Sequence, residues 1–327
     1  MTRTTTFDRR SLLAGAAAAA AAAPTLAATP AAAAVPAQQG LLRPGIWRFQ
    51  VGRFEVTSIL DGAAQFPGPH PIFGQNVTQE DVAALAAQNF LPADRMEVPF
   101  TQTLVNTGSE LILFDTGNGA ARRPNAGQLT AQLATLGIQP GDITHVAITH
   151  FHGDHIGGLT EETGETFANA SYFFPAAEYD FWSNEDLLFD DAMQSRAQLV
   201  QDKVVPLAER ATMLAPGDSI VSGIEAIDAS GHTPGHLIFH LESEGERLAV
   251  TADTANHYVM SLQRPDWHVR FDMDKEAAAA RRREVFGMLA ADRVPFIGYH
   301  MPAPALGYVE PLGDGFRYVP ASYQLNL

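Results

Sequence analysis

The stretch DITHVAITHFHGDHIGG, residues 142–158, constrains this chain more than any other. Its apolar run HVAIT reads as a buried strand, and that strand runs straight into His150, His152, Asp154 and His155, closed by a glycine pair. In an extended chain, residues i and i+2 point to the same side, so His150 and His152 present their imidazoles to one point. Gly153 then permits a sharp turn that returns Asp154 and His155 over the same spot. Imidazole and carboxylate suit zinc and related divalent ions, and a site for two metals needs about this density of ligands. A histidine-rich turn that is merely solvated is the alternative, and an apolar strand leading into it argues against that.

The elements around this motif fall into two similar halves. WRFQVGRFEVTSILDG alternates apolar and polar residues on both sides of Val51-Gly52-Arg53, as a β-hairpin does. VTQEDVAALAAQNF has helical spacing, with Thr78 as N-cap and Glu80 and Asp81 in the first turn. FTQTLVNTGSELILFDTGNG holds two strands joined at Thr107-Gly108-Ser109, and a helix at GQLTAQLATLGI leads into the metal motif. The second half supplies ASYFFPAAEYDFW, a helical stretch EDLLFDDAMQSRAQLVQDKV, and strands at IEAIDAS, HLIFHLES and RLAVTAD. A helix DKEAAAARRREVFGMLAAD and a strand VPFIGYH follow. Two β-then-α halves in one domain is the coarse architecture, and 327 residues at 46% hydrophobic can bury a core of that size.

Residues 1–34 read differently. A basic, polar start is followed by an apolar run from Leu12 to Ala23 and by small residues offering A-x-A cleavage sites, the layout of a secretory signal peptide. Arg9-Arg10 followed by Ser11-Leu12-Leu13 resembles a twin-arginine signal, although Asp8 stands where Ser or Thr is usual. We therefore expect export by the Tat machinery to the periplasm or the exterior, a linker at 35–44, and a catalytic domain over 45–327. No further segment approaches membrane-spanning length. The sequence holds no cysteine, which excludes thiolate ligands and a thiol nucleophile. The leader carries three arginines against one aspartate, so its removal takes the formal charge from −16 to −18. A protein this acidic repels phosphate backbones, which argues against nucleic acid as substrate.

THFHGDHIGG resembles the signature of the metallo-β-lactamase-fold hydrolases. Further pieces arrive in that family's order: LVNTGSELILFDTGNG, then DASGHTPGHLIF, VTADTANH and GYHMPAPALG. The resemblance covers nearly the whole chain from about residue 50 and implies a four-layer αββα sandwich with the site at one edge. It implies that His150, His152 and His232 hold one metal, most simply zinc, that Asp154, His155 and His300 hold a second, and that Asp253 bridges them. Asp154 and Asp253 take the catalytic roles. Each of His232, Asp253 and His300 lies just past a predicted strand, where site residues of layered folds gather. The same resemblance makes Asp115 the carboxylate that orients a ligand histidine, against a plain turn-forming role. His236 is read either as support for a ligand or as a structural residue at a strand start. His70, His145, His240, His257 and His268 have no partners in the sequence and are read as structural or surface residues.

Two zinc ions lower the pKa of a shared water and polarise a carbonyl or phosphoryl oxygen, so hydrolysis of an ester-like bond is the expected chemistry. No G-x-S-x-G nucleophile elbow competes with this. The exported form, VTSILDG, AEYDFW and GYHMPAPALG resemble the methyl parathion hydrolase-like branch most. This places phosphotriester or aryl ester hydrolysis first, with Phe181 and Trp182 as candidate pocket walls or, alternatively, as core. Lactonase activity, on acyl-homoserine or other lactones, comes second, because small quorum-quenching lactonases carry a tyrosine where this chain has Asn256. β-Lactamase, thioesterase and non-catalytic binding readings rank below. A homodimer is a family-level expectation.

Overall fold

Successive strand residues point to opposite faces, and in this chain that alternation feeds two cores from one sheet. The computed structural model describes residues 37, 38, 40 and 42–323; the expected signal peptide lies outside them. The first half contains β1 (Ile46–Val51), β2 (Phe54–Phe66), α1 (Gln79–Gln88), β3 (Met96–Asn106), β4 (Leu111–Phe114), α2 (Leu129–Thr135) and β5 (His145–Ala147). It continues with α3 (Gly153–Ile156), the small hairpin β6 (Thr160–Glu161) and β7 (Gly164–Glu165), β8 (Ser171–Pro175), α4 (Ala176–Trp182), α5 (Gln194–Lys203) and β9 (Ala211–Leu214). The second half contains β10 (Ser219–Val221), β11 (Ile224–Asp228), β12 (Leu237–Ser243), β13 (Glu246–Ala252), α6 (Met260–Gln263), α7 (Lys275–Asp292), β14 (Phe296–Gly298), β15 (Leu306–Leu312) and β16 (Gly315–Pro320).

One sheet runs β1-β2-β3-β4-β5-β8-β9 and the other β10-β11-β12-β13-β14-β15-β16. Ile112, Phe114, Ala147 and Phe173 face the second sheet and pack with Phe239, Val250 and Phe296. Their neighbours Leu113, Val146, Tyr172 and Phe174 face outward and pack with Leu133, Trp182 and Val200 of α2, α4 and α5. On the outer side of the second sheet, α7 contributes Val285, Phe286 and Leu289. Helix, sheet, sheet and helix are thus stacked as the αββα sandwich that the motifs imply.

Most strand neighbours are antiparallel, but β4, β5, β8 and β9 pair in parallel, as do β13 and β14. The parallel strands send their carboxyl ends to one edge, and ligands gather outside the carboxyl ends of such strands. The expected hairpin turns at Gly52, where φ is +55° and a side chain would meet the Ser243 carbonyl. Thr78 caps α1 as expected, its Oγ1 accepting from the Asp81 amide at 3.1 Å while Asp81 Oδ2 accepts from the Thr78 amide at 3.2 Å. The helix expected over 185–204 is broken. A short 3-10 turn ends at Phe189, and Asp190 Oδ1 then accepts from the amides of Ala192 and Met193, groups that a continuous helix would use itself.

Candidate metal centre

The strand His145–Ala147 ends inside the fold, and Thr149 Oγ1 lies 2.9 Å from Asp115 Oδ2, which fixes the direction in which the motif leaves the sheet. His152 is the last extended residue before α3, whose first residues are Gly153, Asp154 and His155. The closing glycines have a packing reason: a Cβ on Gly157 would lie 2.4 Å from the Asn118 carbonyl, and one on Gly158 2.1 Å from the Thr116 carbonyl. Only glycine lets α3 lie this close to the loop that follows β4. From the other sheet, His232 follows β11, Asp253 directly follows β13, and His300 follows β14. Asp115 and Ala252, each the first or last residue at such a strand end, hold left-handed φ values of 61° and 41°, strain of the kind that functional loops concentrate.

All seven predicted ligands meet at this edge. His150, His152, His232 and Asp253 form one group, and Asp154, His155 and His300 a second. In the first, His150 Nε2 and His152 Nδ1 are 3.0 Å apart, and His232 Nε2 is 2.9 Å from His152 Nδ1 and 3.3 Å from Asp253 Oδ2. Ligands at about 2.0–2.1 Å from a tetrahedral zinc stand about 3.3 Å from one another, so these separations suit a single ion. In the second, Asp154 Oδ2 lies 3.9 Å from His155 Nε2 and 3.7 Å from His300 Nε2. Asp253 reaches both groups, with Oδ1 at 3.2 Å from His155 Nε2 and Oδ2 at 3.0 Å from His300 Nε2.

Hydrogen bonds behind the ligands fix which atoms face inward. His155 Nδ1 donates to Asp115 Oδ2 at 2.8 Å, His232 Nδ1 to Asp272 Oδ1 at 2.9 Å, and His300 Nδ1 to the Pro99 carbonyl at 2.8 Å. Each carries its proton on the outer nitrogen and turns the lone pair of Nε2 inward. His155 Nε2 and Asp253 Oδ1 therefore confront each other as two acceptors, both buried and both without a hydrogen-bond partner. Only a cation or a proton reconciles them, and the donor set fits divalent metal.

The electrostatics agree. Burial and the surrounding histidines hold His150 and His152 well below the usual histidine value, as neutral ligands. Burial opposes a charge on His155, His232 and His300 too, but Asp115, Asp253 and Asp272 outweigh it and raise all three, His232 to about 9. Asp253 is held far below its normal range despite its burial, by His300 and His155. A metal takes the place of these protons.

Sequence reading missed several supports. Asp272 is itself paired with Arg282 Nη2 at 2.8 Å, both fully buried, and Arg282 also donates to the carbonyls of Thr254 at 2.9 Å and Pro265 at 2.7 Å. Arg282 lies on the buried stripe of α7 with Ala278, Val285, Phe286 and Leu289, and a charge on an apolar stripe is the signal that marks it. Glu178 is fully buried and accepts from the amides of Phe151 at 3.2 Å and Gly235 at 2.8 Å, one with each carboxylate oxygen. Burial raises its pKa. Tyr299 stacks on His155, with centroids 3.9 Å apart, and its hydroxyl donates to the Asp154 carbonyl.

His236 donates Nδ1–H to the Ala229 carbonyl at 3.1 Å and packs 5.0 Å from the ring of His150; burial and His232 bring its pKa down to about 3. It backs the ligand rings and joins neither ligand group. The pocket-wall reading of Phe181 and Trp182 is corrected: Trp182 is fully buried in the outer core, edge-on to Phe181, which is half-buried against the same cluster. The AEYDFW segment reaches the site through Glu178 instead. His257 is structural, its Nδ1 accepting from the Val259 and Met260 amides.

The Metallo-beta-lactamase superfamily profile matches residues 101–296. The chain is 47% identical over 68 residues to the lactamase-like protein adaB of Aspergillus niger, a match spanning 20% of each chain, so most of that relative lies outside the comparison. It is 23% identical over 211 residues to an N-acyl homoserine lactonase of Bacillus cereus, covering 58% of this chain and 77% of that one. Among solved structures, AidC, a dizinc quorum-quenching lactonase, superposes with a TM-score of 0.76 at 26% identity over 85% of this chain and 98% of its own. The hydrolase AbOPH of the beta lactamase superfamily superposes with a TM-score of 0.79 at 23% identity, over 86% and 99%. With a profile match over more than half its length, and that match enclosing the ligand motif, this chain belongs to the metallo-beta-lactamase superfamily.

Proposed function

We propose that this protein opens lactones and cleaves related esters by dinuclear metal-dependent hydrolysis, with zinc as the resident metal. The observation that carries the reading is the convergence of seven inward-turned donor atoms in which Asp253 faces both ligand groups. Two bound ions would supply an activated water and polarise the carbonyl under attack. The protein's own residues do the rest. Asn256 Nδ2 donates to Asp253 Oδ2 at 2.9 Å and holds the shared carboxylate. Asp154, whose side chain is 18% exposed against 4% for Asp253, is the ligand carboxylate that meets solvent. Its Oδ2 is the atom best placed to hand a proton to the leaving oxygen.

The sequence motifs rank phosphotriesters and aryl esters ahead of lactones. The relatives favour the opposite order, since two of those compared carry lactonase names and one of them matches over nearly its whole length. We take the lactone reading first on that ground. Export by the Tat route and homodimerisation belong to the same proposal; N-terminal sequencing of periplasmic protein and light scattering test them.

The deciding experiment offers the metal-loaded protein acyl-homoserine lactones, γ- and δ-lactones, aryl acetates, methyl parathion, paraoxon and nitrocefin, with Asp253→Ala as control. Ring opening of lactones that vanishes in the variant is expected. Turnover of nitrocefin or phosphotriesters without lactone opening sinks the lactone reading. Well under one equivalent of metal in the purified protein sinks the dinuclear one.

A further inference from the structure

Each histidine of the second ligand group has a partner behind it, Asp115 for His155 and the Pro99 carbonyl for His300. Asp154 has none. Among the described residues its carboxylate pairs only with its fellow ligands His155 and His300, at 3.9 and 3.7 Å. Its placement therefore depends on its backbone, and α3 is only four residues long. In a continuing helix the Gly158 amide would close on the Asp154 carbonyl. Gly158 donates instead to the Gly117 carbonyl at 3.2 Å, and Gly157 donates to the Gly153 carbonyl at 3.0 Å. The Asp154 carbonyl thus ends the helix without an amide, and the Tyr299 hydroxyl donates to it instead.

Both sheets clamp the backbone of Tyr299. Its amide donates to the Ala252 carbonyl of β13 at 3.3 Å, and its carbonyl accepts from the Thr101 amide of β3 at 2.9 Å. Gln102, the next residue of β3, donates Nε2–H to the Tyr299 hydroxyl at 2.5 Å. With that lone pair engaged, the phenolic proton is turned toward Asp154. Gln102 is fully buried, and its Oε1 has no hydrogen-bond partner among the described residues. A buried amide met at one end only destabilises a fold, so packing does not account for this residue, whereas orienting the Tyr299 hydroxyl does.

The Tyr299 side chain serves one ligand group. Its ring stacks on His155 at an interplanar angle of 28° and meets the edge of His300 with centroids 5.0 Å apart, while its hydroxyl holds Asp154. Among the described residues, no hydrogen bond or ring contact joins that side chain to His150, His152 or His232. The first group has its own support, Asp272 and Arg282 acting through His232.

We propose that Gln102 and Tyr299 are a positioning relay for the second metal alone, so that the two metals rest on separate supports and can be lost separately. The inference rests on the dinuclear reading above and deepens it.

Zinc competition against chelators of graded affinity, with zinc counted per chain, should resolve two binding constants in the wild type. Tyr299→Phe keeps the ring and removes the hydroxyl; it should weaken one constant about tenfold or more and leave the other within about twofold. Asp272→Asn should weaken the constant that Tyr299→Phe spares. Gln102→Met, of similar volume, removes the donor and the unmet Oε1 together. Its metal-free form should melt no lower than the wild type, while the constant that Tyr299→Phe affects weakens, a combination that a packing role does not produce. Equal weakening of both constants in Tyr299→Phe, no change in either, or Asp272→Asn acting on the same constant overturns the proposal. Unchanged constants in Gln102→Met overturn it too, and that variant decides alone if Tyr299→Phe does not fold. One equivalent of zinc in the wild type sinks the dinuclear reading and the relay with it; two equivalents with any of these failures sink the relay alone.

Discussion

Replacing Arg282 by Met tests whether the metal site is held from the outer helix. The arginine is fully buried on α7, and its three bonds reach Thr254, next to the ligand Asp253, and Pro265 and Asp272 on the segment between α6 and α7. Through Asp272 it fixes the tautomer of His232, and through the Thr254 carbonyl it holds the residue next to Asp253. Methionine fills a similar volume, so the loss is chiefly electrostatic. Breaking a buried pair costs about 3–5 kcal/mol because the remaining charge is left without a partner. In a domain of this size that corresponds to a fall of about 10 °C in melting temperature, at about 2–4 °C per kcal/mol. Loss of an outer partner of a ligand histidine weakens metal binding by about 10–100-fold. Melting of the metal-free protein and competition with a chelator measure the two effects independently. Asp272→Asn should weaken metal binding by a similar factor, and Arg282→Lys should recover part of it, since lysine keeps the charge but not the three-way fork. Metal affinity within about twofold of wild type in Arg282→Met would refute the reasoning, whatever the melting temperature does.

Three further outcomes follow from the same geometry. Glu178→Gln should destabilise the fold by about 1–3 kcal/mol and weaken metal binding, because the two carboxylate oxygens serve two different amides and a glutamine turns an N–H toward one of them; denaturant titration checks this. Gly158→Ala places a methyl 2.1 Å from the Thr116 carbonyl and should cost about 1–3 kcal/mol, read the same way, with no loss meaning that α3 does not need its close approach. In the metal-free protein His155, His232 and His300 have raised folded pKa values, so their stabilisation is complete below pH 6.5 and is lost as pH rises through about 9 for His232. His150, His152 and His236 are depressed, so acid below pH 6.5 favours the unfolded chain, which takes up their protons. Stability of the metal-free protein should peak near pH 6.5, and bound metal should remove the alkaline fall; an unchanged alkaline limb with metal bound would count against the site.

What was legible in the sequence is what repeats locally. His150, His152, Asp154 and His155 sit within six positions, and strand alternation with one glycine is enough to converge them. His232, Asp253 and His300 were placed by resemblance and by their positions after strands; the parallel pair β13–β14 explains why Asp253 and His300 leave at one edge, while His232 follows β11, whose neighbours are antiparallel. The supports were illegible for the opposite reason. Asp272 and Arg282 are ten residues apart in sequence, and their partner His232 is forty residues before Asp272, so no short pattern carries the relay. Glu178 was hidden in a segment read for its aromatic residues, and Trp182 resolves as core because α4 turns that face inward. The break at Asp190 went unread because helical spacing continues across it, while the Asp190 side chain takes the amides that the helix needed. A metal site therefore shows its first ligands in sequence, but the residues that hold those ligands in place are set by contacts across the sandwich. Arg282 is the clearest case: its own helix marks it as out of place, and only the fold shows that a ligand on the opposite loop depends on it.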